Sequence, residues 1–255
     1  MYRHLLVPVE RSDACVEAIG HTAELARSLG ARITFACRNG GKGGDAAQHR
    51  HAEALLARAQ AAARAQGVAA SVLAVPGGST LGDMGREASR DYDLVCIAQG
   101  SAVPPVPGVA VLVCPSDARP AVAKVVGALL AAHRRQSDTY DDALAALHMK
   151  RFDPRTIEGL CEEHREETAL TTALRERTSA LDAELDELAR LAEREAALLA
   201  GIAESPMSDV VIEDALHACA RFAWERMGRI EGAVLPAARR YLRDADWTAL
   251  ADKAR

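Results

Sequence analysis

The sequence predicts an α/β domain followed by an all-α domain, with the division near residues 118–121. Three observations carry this. Short apolar runs closed by glycine or proline alternate with amphipathic stretches as far as Cys114. No such run recurs after Pro120, where helical spacing takes over. Half the residues are apolar (49%), yet only 4% are aromatic. Alanine and leucine supply the difference, which favours helix. Residues 1–118 are therefore expected to form a doubly wound, parallel, five-stranded sheet. Residues 121–255 are expected to form an up-down four-helix bundle with a short terminal helix.

Each element follows in turn. His4-Leu-Leu-Val-Pro-Val reads as the first strand, and Ser12 caps a helix that ends at Gly30. Arg32 to Cys37 is the second strand. A loop with glycines at 40, 41, 43 and 44 leads to an alanine-rich helix from Asp45 to about Gln66. Ala69 to Val75 is the third strand and Thr80 to Arg90 the third helix. Leu94 to Ala98 and Val109 to Cys114 are the last two strands. Beyond Pro120, helices are expected over 121–148, from Arg155 to about Glu204 with an interruption near Thr178-Ser179, and from Val210 to Leu242. A short terminal helix starts at Asp244.

Composition removes several function classes. Net charge is −5, and the acidic surplus lies in residues 121–255, with 25 Asp+Glu against 19 Lys+Arg. Nucleic acid is not an expected partner, because a phosphate backbone demands a basic surface. No apolar run reaches the roughly 20 residues of a membrane helix. The cysteines (15, 37, 96, 114, 161, 219) contain no CxxC pair and mostly sit in apolar patterns, as small buried hydrophobes do. With the first strand opening at His4, a reducing cytoplasm is the expected location. No GxSxG, Walker A or HExxH motif is present.

The connection between the last two strands is unusual. Only Ser101 to Gly108 separate them, and Pro104, Pro105 and Pro107 are among these residues. A parallel crossover normally takes a dozen residues or more. Eight extended residues span at most about 26 Å, enough to run back along a five-residue strand of about 17 Å. No helix fits on the connection, so one sheet face is expected to lie partly bare, awaiting a second subunit or the C-terminal half.

Residues 1–116 resemble the universal stress protein family. The resemblance rests on HLLVPVERSDAC, SLGARITFACR, DYDLVCIAQG and VAVLVCP, in that order and spacing. Nucleotide-binding members carry G-x2-G-x9-G-[ST] after strand four, leading into a fourth helix. Here Gly100 stands at its start, residue 103 is Val, and the rest of the motif is absent. A phosphate cradle needs successive inward N–H groups, and proline donates none. The family's acidic residue after strand one is Glu10 here. Glu10 and Gly100 are thus remnants, and ATP binding is not expected. The resemblance also implies a homodimer, formed by pairing of the last strand.

Residues 124–253 resemble the hemerythrin-like (HHE) cation-binding family. This rests on LLAAHRR, EEHREETALTTALRER and RMGRIEGAVLPAARRYLRDADWTAL. That family implies two irons, held by His on helix one, His-x3-Glu on helix two, His on helix three and His-x3-Glu on helix four. His133 and Glu167 match; Glu163 falls where the second histidine belongs, and His164 is one residue off. The helix-three position is Leu191 or Ala192. On helix four the positions are Arg226 and Ile230, with Glu231 one place along. A guanidinium repels a cation, so Arg226 is expected to neutralise Glu163 or Glu167 in an internal salt bridge. No metal is expected. A single metal at His133, Glu163 or His164, and Glu167 is the alternative, and a two-iron centre the remotest.

The remaining signals have plain readings. His49 and His51, at i, i+2, are expected on the surface. His217 is expected to be partly buried, and Trp224 and Trp247 to pack the bundle. The mixed charges from Glu184 to Glu195 read as a solvated face. The expectation is a non-enzymatic, stress-associated or regulatory protein, acting through contacts with an unidentified protein partner. A metal-binding sensor or store of iron, oxygen or nitric oxide is the alternative. A nucleotide-binding stress protein is the third reading.

Overall fold

A computed structural model describes residues 2–39, 46–76, 92–101, 108–204 and 209–254, of which 39, 46, 47, 76, 158, 159, 161–163 and 204 are described by backbone alone. The helix expected over Thr80–Arg90, the glycines at 40–44 and the proline-rich connection lie outside the described residues. The chain forms two compact units. One is residues 1–117 with 228–236; the other is 118–227 with 237–255. The first unit thus takes in a short piece of the region expected to be helical bundle.

The first unit holds β1 (His4–Val9), α1 (Asp13–Leu29), β2 (Arg32–Asn39), α2 (Ala46–Ala65), β3 (Ala70–Pro76), β4 (Leu94–Ala98) and β5 (Ala110–Cys114). The sheet has five strands in the order β3-β2-β1-β4-β5. All pairings are parallel, including β4 with β5, from Leu94↔Ala110 to Ala98↔Cys114. The short connection therefore does return the chain in parallel. Because β1, β2 and β3 step in one direction, right-handed crossovers place α1 and α2 on the same face. Leu5, Val7, Ile33, Phe35, Leu94 and Cys96 form that core with Ala18, Ala23 and Ala59. Leu6, Ala36, Val75, Val95 and Ile97 line the other face. There β5 is open: Val111 is 41% and Val113 52% exposed, as the missing crossover helix predicts.

Local signals set the boundaries. Ser12 Oγ accepts from Cys15 N–H at the start of α1, and Gly30 ends it with φ +63°. That left-handed conformation favours glycine. Five described cysteines are buried and form no disulfide, and burial pushes the Cys15 and Cys96 thiols up to about 12.

Every regular element among the second unit's described residues is helical. It contains α3 (Pro120–His148), a 3-10 stretch (Pro154–His164), α4 (Arg165–Arg175) and α5 (Asp182–Glu204). It also holds most of α6 (Asp209–Arg229), α7 (Leu235–Tyr241) and α8 (Asp244–Lys253). Trp247 and Tyr140 are buried core, and Trp224 is 7% exposed. Asp246 accepts from Arg243 N–H at 2.8 Å at the head of α8. It also accepts from Arg177 Nε at 2.9 Å and Nη2 at 2.6 Å. This two-pronged pair gives the Asp-Ala-Asp-Trp sequence a structural purpose.

Candidate functional site

The helical core contains one buried charged cluster, and each of its long helical stretches contributes to it. Amphipathic spacing places polar groups inward at single positions of otherwise apolar faces. On α3, His133, Gln136 and Tyr140 share a face at i, i+3 and i+7, and all three are buried. Glu167 comes from α4, Glu195 from α5, Arg226 from α6, and His164 closes the 3-10 stretch.

Arg226 is the hub. It is 1% exposed. Its Nη1 donates to Glu167 Oε2 in a very short contact. Its Nη2 faces Gln136 Oε1 at 2.9 Å, His164 Nε2 at 2.8 Å and Glu195 Oε2 at 3.3 Å. A guanidinium only donates, so His164 Nε2 is the unprotonated ring nitrogen. His133 Nε2 donates to Glu167 Oε1 at 3.0 Å. Glu195 Oε1 accepts from Tyr140 Oη at 2.6 Å and Gln136 Nε2 at 2.7 Å. Arg226 Nε has no hydrogen-bond partner.

The electrostatics follow from this geometry. Burial alone would raise the Glu167 carboxyl, but Arg226 and His133 hold it down at about 2. Burial pushes Glu195 up against the more distant guanidinium. Burial, then the guanidinium, lower the His164 ring to about 4, so it is neutral at physiological pH. Burial pushes the Tyr140 phenol up, and the Glu195 charge adds to this. The carboxylates keep Arg226 charged despite its burial.

Of the residues singled out from sequence, His133, His164, Glu167 and Arg226 are brought together. The Glu163 side chain lies outside the described residues. Glu195 corrects the reading of residues 184–195 as wholly solvated: it is 1% exposed. Its signal was available, since it lies four residues from both Leu191 and Leu199, on the buried stripe. Glu231 belongs to the other unit and pairs there with Arg58. Among the described residues no group of three or more His, Cys, Asp or Glu is arranged to hold a metal ion. The Arg226 guanidinium sits between the Glu167 and Glu195 carboxylates.

The second candidate lies on the sheet. Strand order reverses between β1 and β4, and α/β sheets bind ligands at the C-terminal ends of such neighbours. Glu10 follows β1 and Gly100 follows β4, so both stand at this point. Glu10 is exposed and its Oε1 accepts from Ser12 Oγ at 3.2 Å. Gly100 has φ +85°, and Ser101 N–H is turned back to Ala98 O at 3.2 Å.

No family model and no curated protein matches the chain. Among solved structures, it is similar to a protein from the universal stress protein family from Burkholderia pseudomallei, at 22% identity and a TM-score of 0.39. The match covers 45% of this chain and 97% of that one. No described helix is long and apolar enough to cross a membrane.

Proposed function

We propose that this chain is a non-enzymatic, stress-associated or regulatory protein that acts through protein contacts in the cytoplasm. In this reading a universal stress protein-like unit is joined to a hemerythrin-like one, and neither ligand site is in use. The observation that carries it is Arg226, whose guanidinium occupies the cluster centre and satisfies Glu167 and Glu195 without metal. On the sheet, the proline-rich connection offers few N–H groups to a phosphate. The exposed β5 supports a homodimer built on that edge.

A second reading keeps a metal. It is favoured by the gathering of His133, His164, Glu167 and Glu195 around one point, and it needs Arg226 to swing away. Metal content per chain, in protein purified without chelator or affinity metal under low oxygen, separates the two. We expect a value near zero that stays there after iron and zinc are offered. About two irons per chain would overturn the proposal. One stoichiometric metal, lost on His133→Ala, would establish the second reading.

A further inference from the structure

A groove of about 560 Å³ runs between α4 and α8. His164 lines it, at the point where the 3-10 stretch hands over to α4. His133, Glu167, Glu195 and Arg226 are all buried, whereas the His164 side chain is 18% exposed. The charged cluster therefore meets the groove through this ring.

The place of the ring proton follows from the contacts on its inner side. Two donors converge on His164 Nε2, Arg226 Nη2 at 2.8 Å and the Gln136 amide nitrogen at 3.3 Å. Neither nitrogen accepts, so Nε2 offers its lone pair and the single proton of the neutral ring sits on Nδ1. Among the described residues no acceptor faces Nδ1, and the atom is not sealed from solvent. Donation into Nε2 draws electron density from the ring and strengthens Nδ1–H as a donor. The cluster thus fixes and polarises an N–H from within.

The groove around it has a definite chemistry. Arg165 and Lys253 bring two exposed cations to it, and Ala169, Ala173 and Leu250 give it an apolar wall. Asp246 also borders it but is engaged by Arg177 and by Arg243 N–H. Glu176, exposed on the same groove, opposes a second negative charge on a ligand. One fixed donor, two cations and a short apolar wall suit a monoanion with a small hydrocarbon body. We propose that the α4–α8 groove binds a short-chain carboxylate, one oxygen accepting from His164 Nδ1–H and the hydrocarbon lying along Ala169 and Ala173. The inference rests on the metal-free, Arg226-centred cluster of the proposed function.

Nitrogen-15 NMR of the full chain at neutral pH tests this, with acetate, butyrate or inorganic phosphate added at constant ionic strength. The His164 ring, assigned through its own backbone, should be the Nδ1–H tautomer before any addition. Butyrate should shift it saturably, with half-saturation below about 50 mM. Acetate should bind at least about threefold more weakly, having two fewer methylenes to bury. Lys253→Gln, a change at an exposed site, should weaken butyrate about two- to fivefold. An Nε2–H tautomer would overturn the Arg226-centred cluster and this inference together. The Nδ1–H tautomer with no saturable butyrate shift, with phosphate bound as well as butyrate, or with Lys253→Gln unchanged from wild type would overturn this inference alone.

Discussion

Arg226 and Glu231 lie little more than a turn apart on the chain, yet they serve different cores. Arg226 joins a network in which Glu167, Glu195, Gln136 and His164 all face one guanidinium. Glu231 pairs with Arg58, and its neighbour Gly232 packs closely on Ala62. Burying an ion costs several kcal/mol before any partner is found. The first arrangement offsets that cost with many hydrogen bonds and keeps its cation fixed. The second sets its ion pair beside close backbone contacts of glycine and alanine. Two buried pairs of the same chemistry therefore sit in different kinds of surroundings.

The largest expected effect is on the network. Arg226→Met leaves two carboxylates buried without a cation, and we expect a loss of about 3–5 kcal/mol in denaturant unfolding. A midpoint unchanged from wild type would mean that the cluster is hydrated and the comparison false. The Arg58–Glu231 pair should respond differently. Arg58→Met or Glu231→Leu alone should destabilise by about 2–3 kcal/mol, while the double variant should return to within about 1 kcal/mol of wild type. A double variant as unstable as the sum of the singles would show that this pair too belongs to a wider network.

The smallest effect is the dependence on pH. His164 has its proton affinity lowered to about 4 in the fold, so an unfolded chain takes up that proton first. Stability should fall as pH drops from about 6.5 to 4. Glu167, held at about 2, extends the loss from about 4.5 downward. Glu195, pushed up, acts in the opposite sense above its unfolded value and blunts the slope. Thermal midpoints of wild type and His164→Gln between pH 7 and 4 should converge as pH falls, with the variant flatter. Parallel curves would remove His164 from the account.

Much of this was legible in the sequence. The strands announced themselves as apolar runs, and the eight residues after Gly100 pointed to the exposed face of β5. His133, Glu167 and Arg226 were singled out by the resemblance to the hemerythrin-like family. Glu195 was obscured because it sits in a run of charges, although its period matches the buried leucines around it. Arg58 gave no signal, since its pairing depends on a segment far along the chain. Glu231 could not be placed by counting, because the count assumes an uninterrupted α-helix and Pro236 imposes a π turn over Ile230–Val234.

That turn has a consequence for tolerance to change. A π turn holds one more residue than the α turn it replaces, so everything after it is shifted in phase by about 100°. Ala237, Ala238 and Leu242, all buried, depend on that phase. Deleting one residue from 230–234 would turn their faces outward while leaving the composition almost untouched. Substitutions at the exposed Val210 and Val211 should be absorbed, whereas a change of length near Gly232 should not. What this stretch guards is its number of residues.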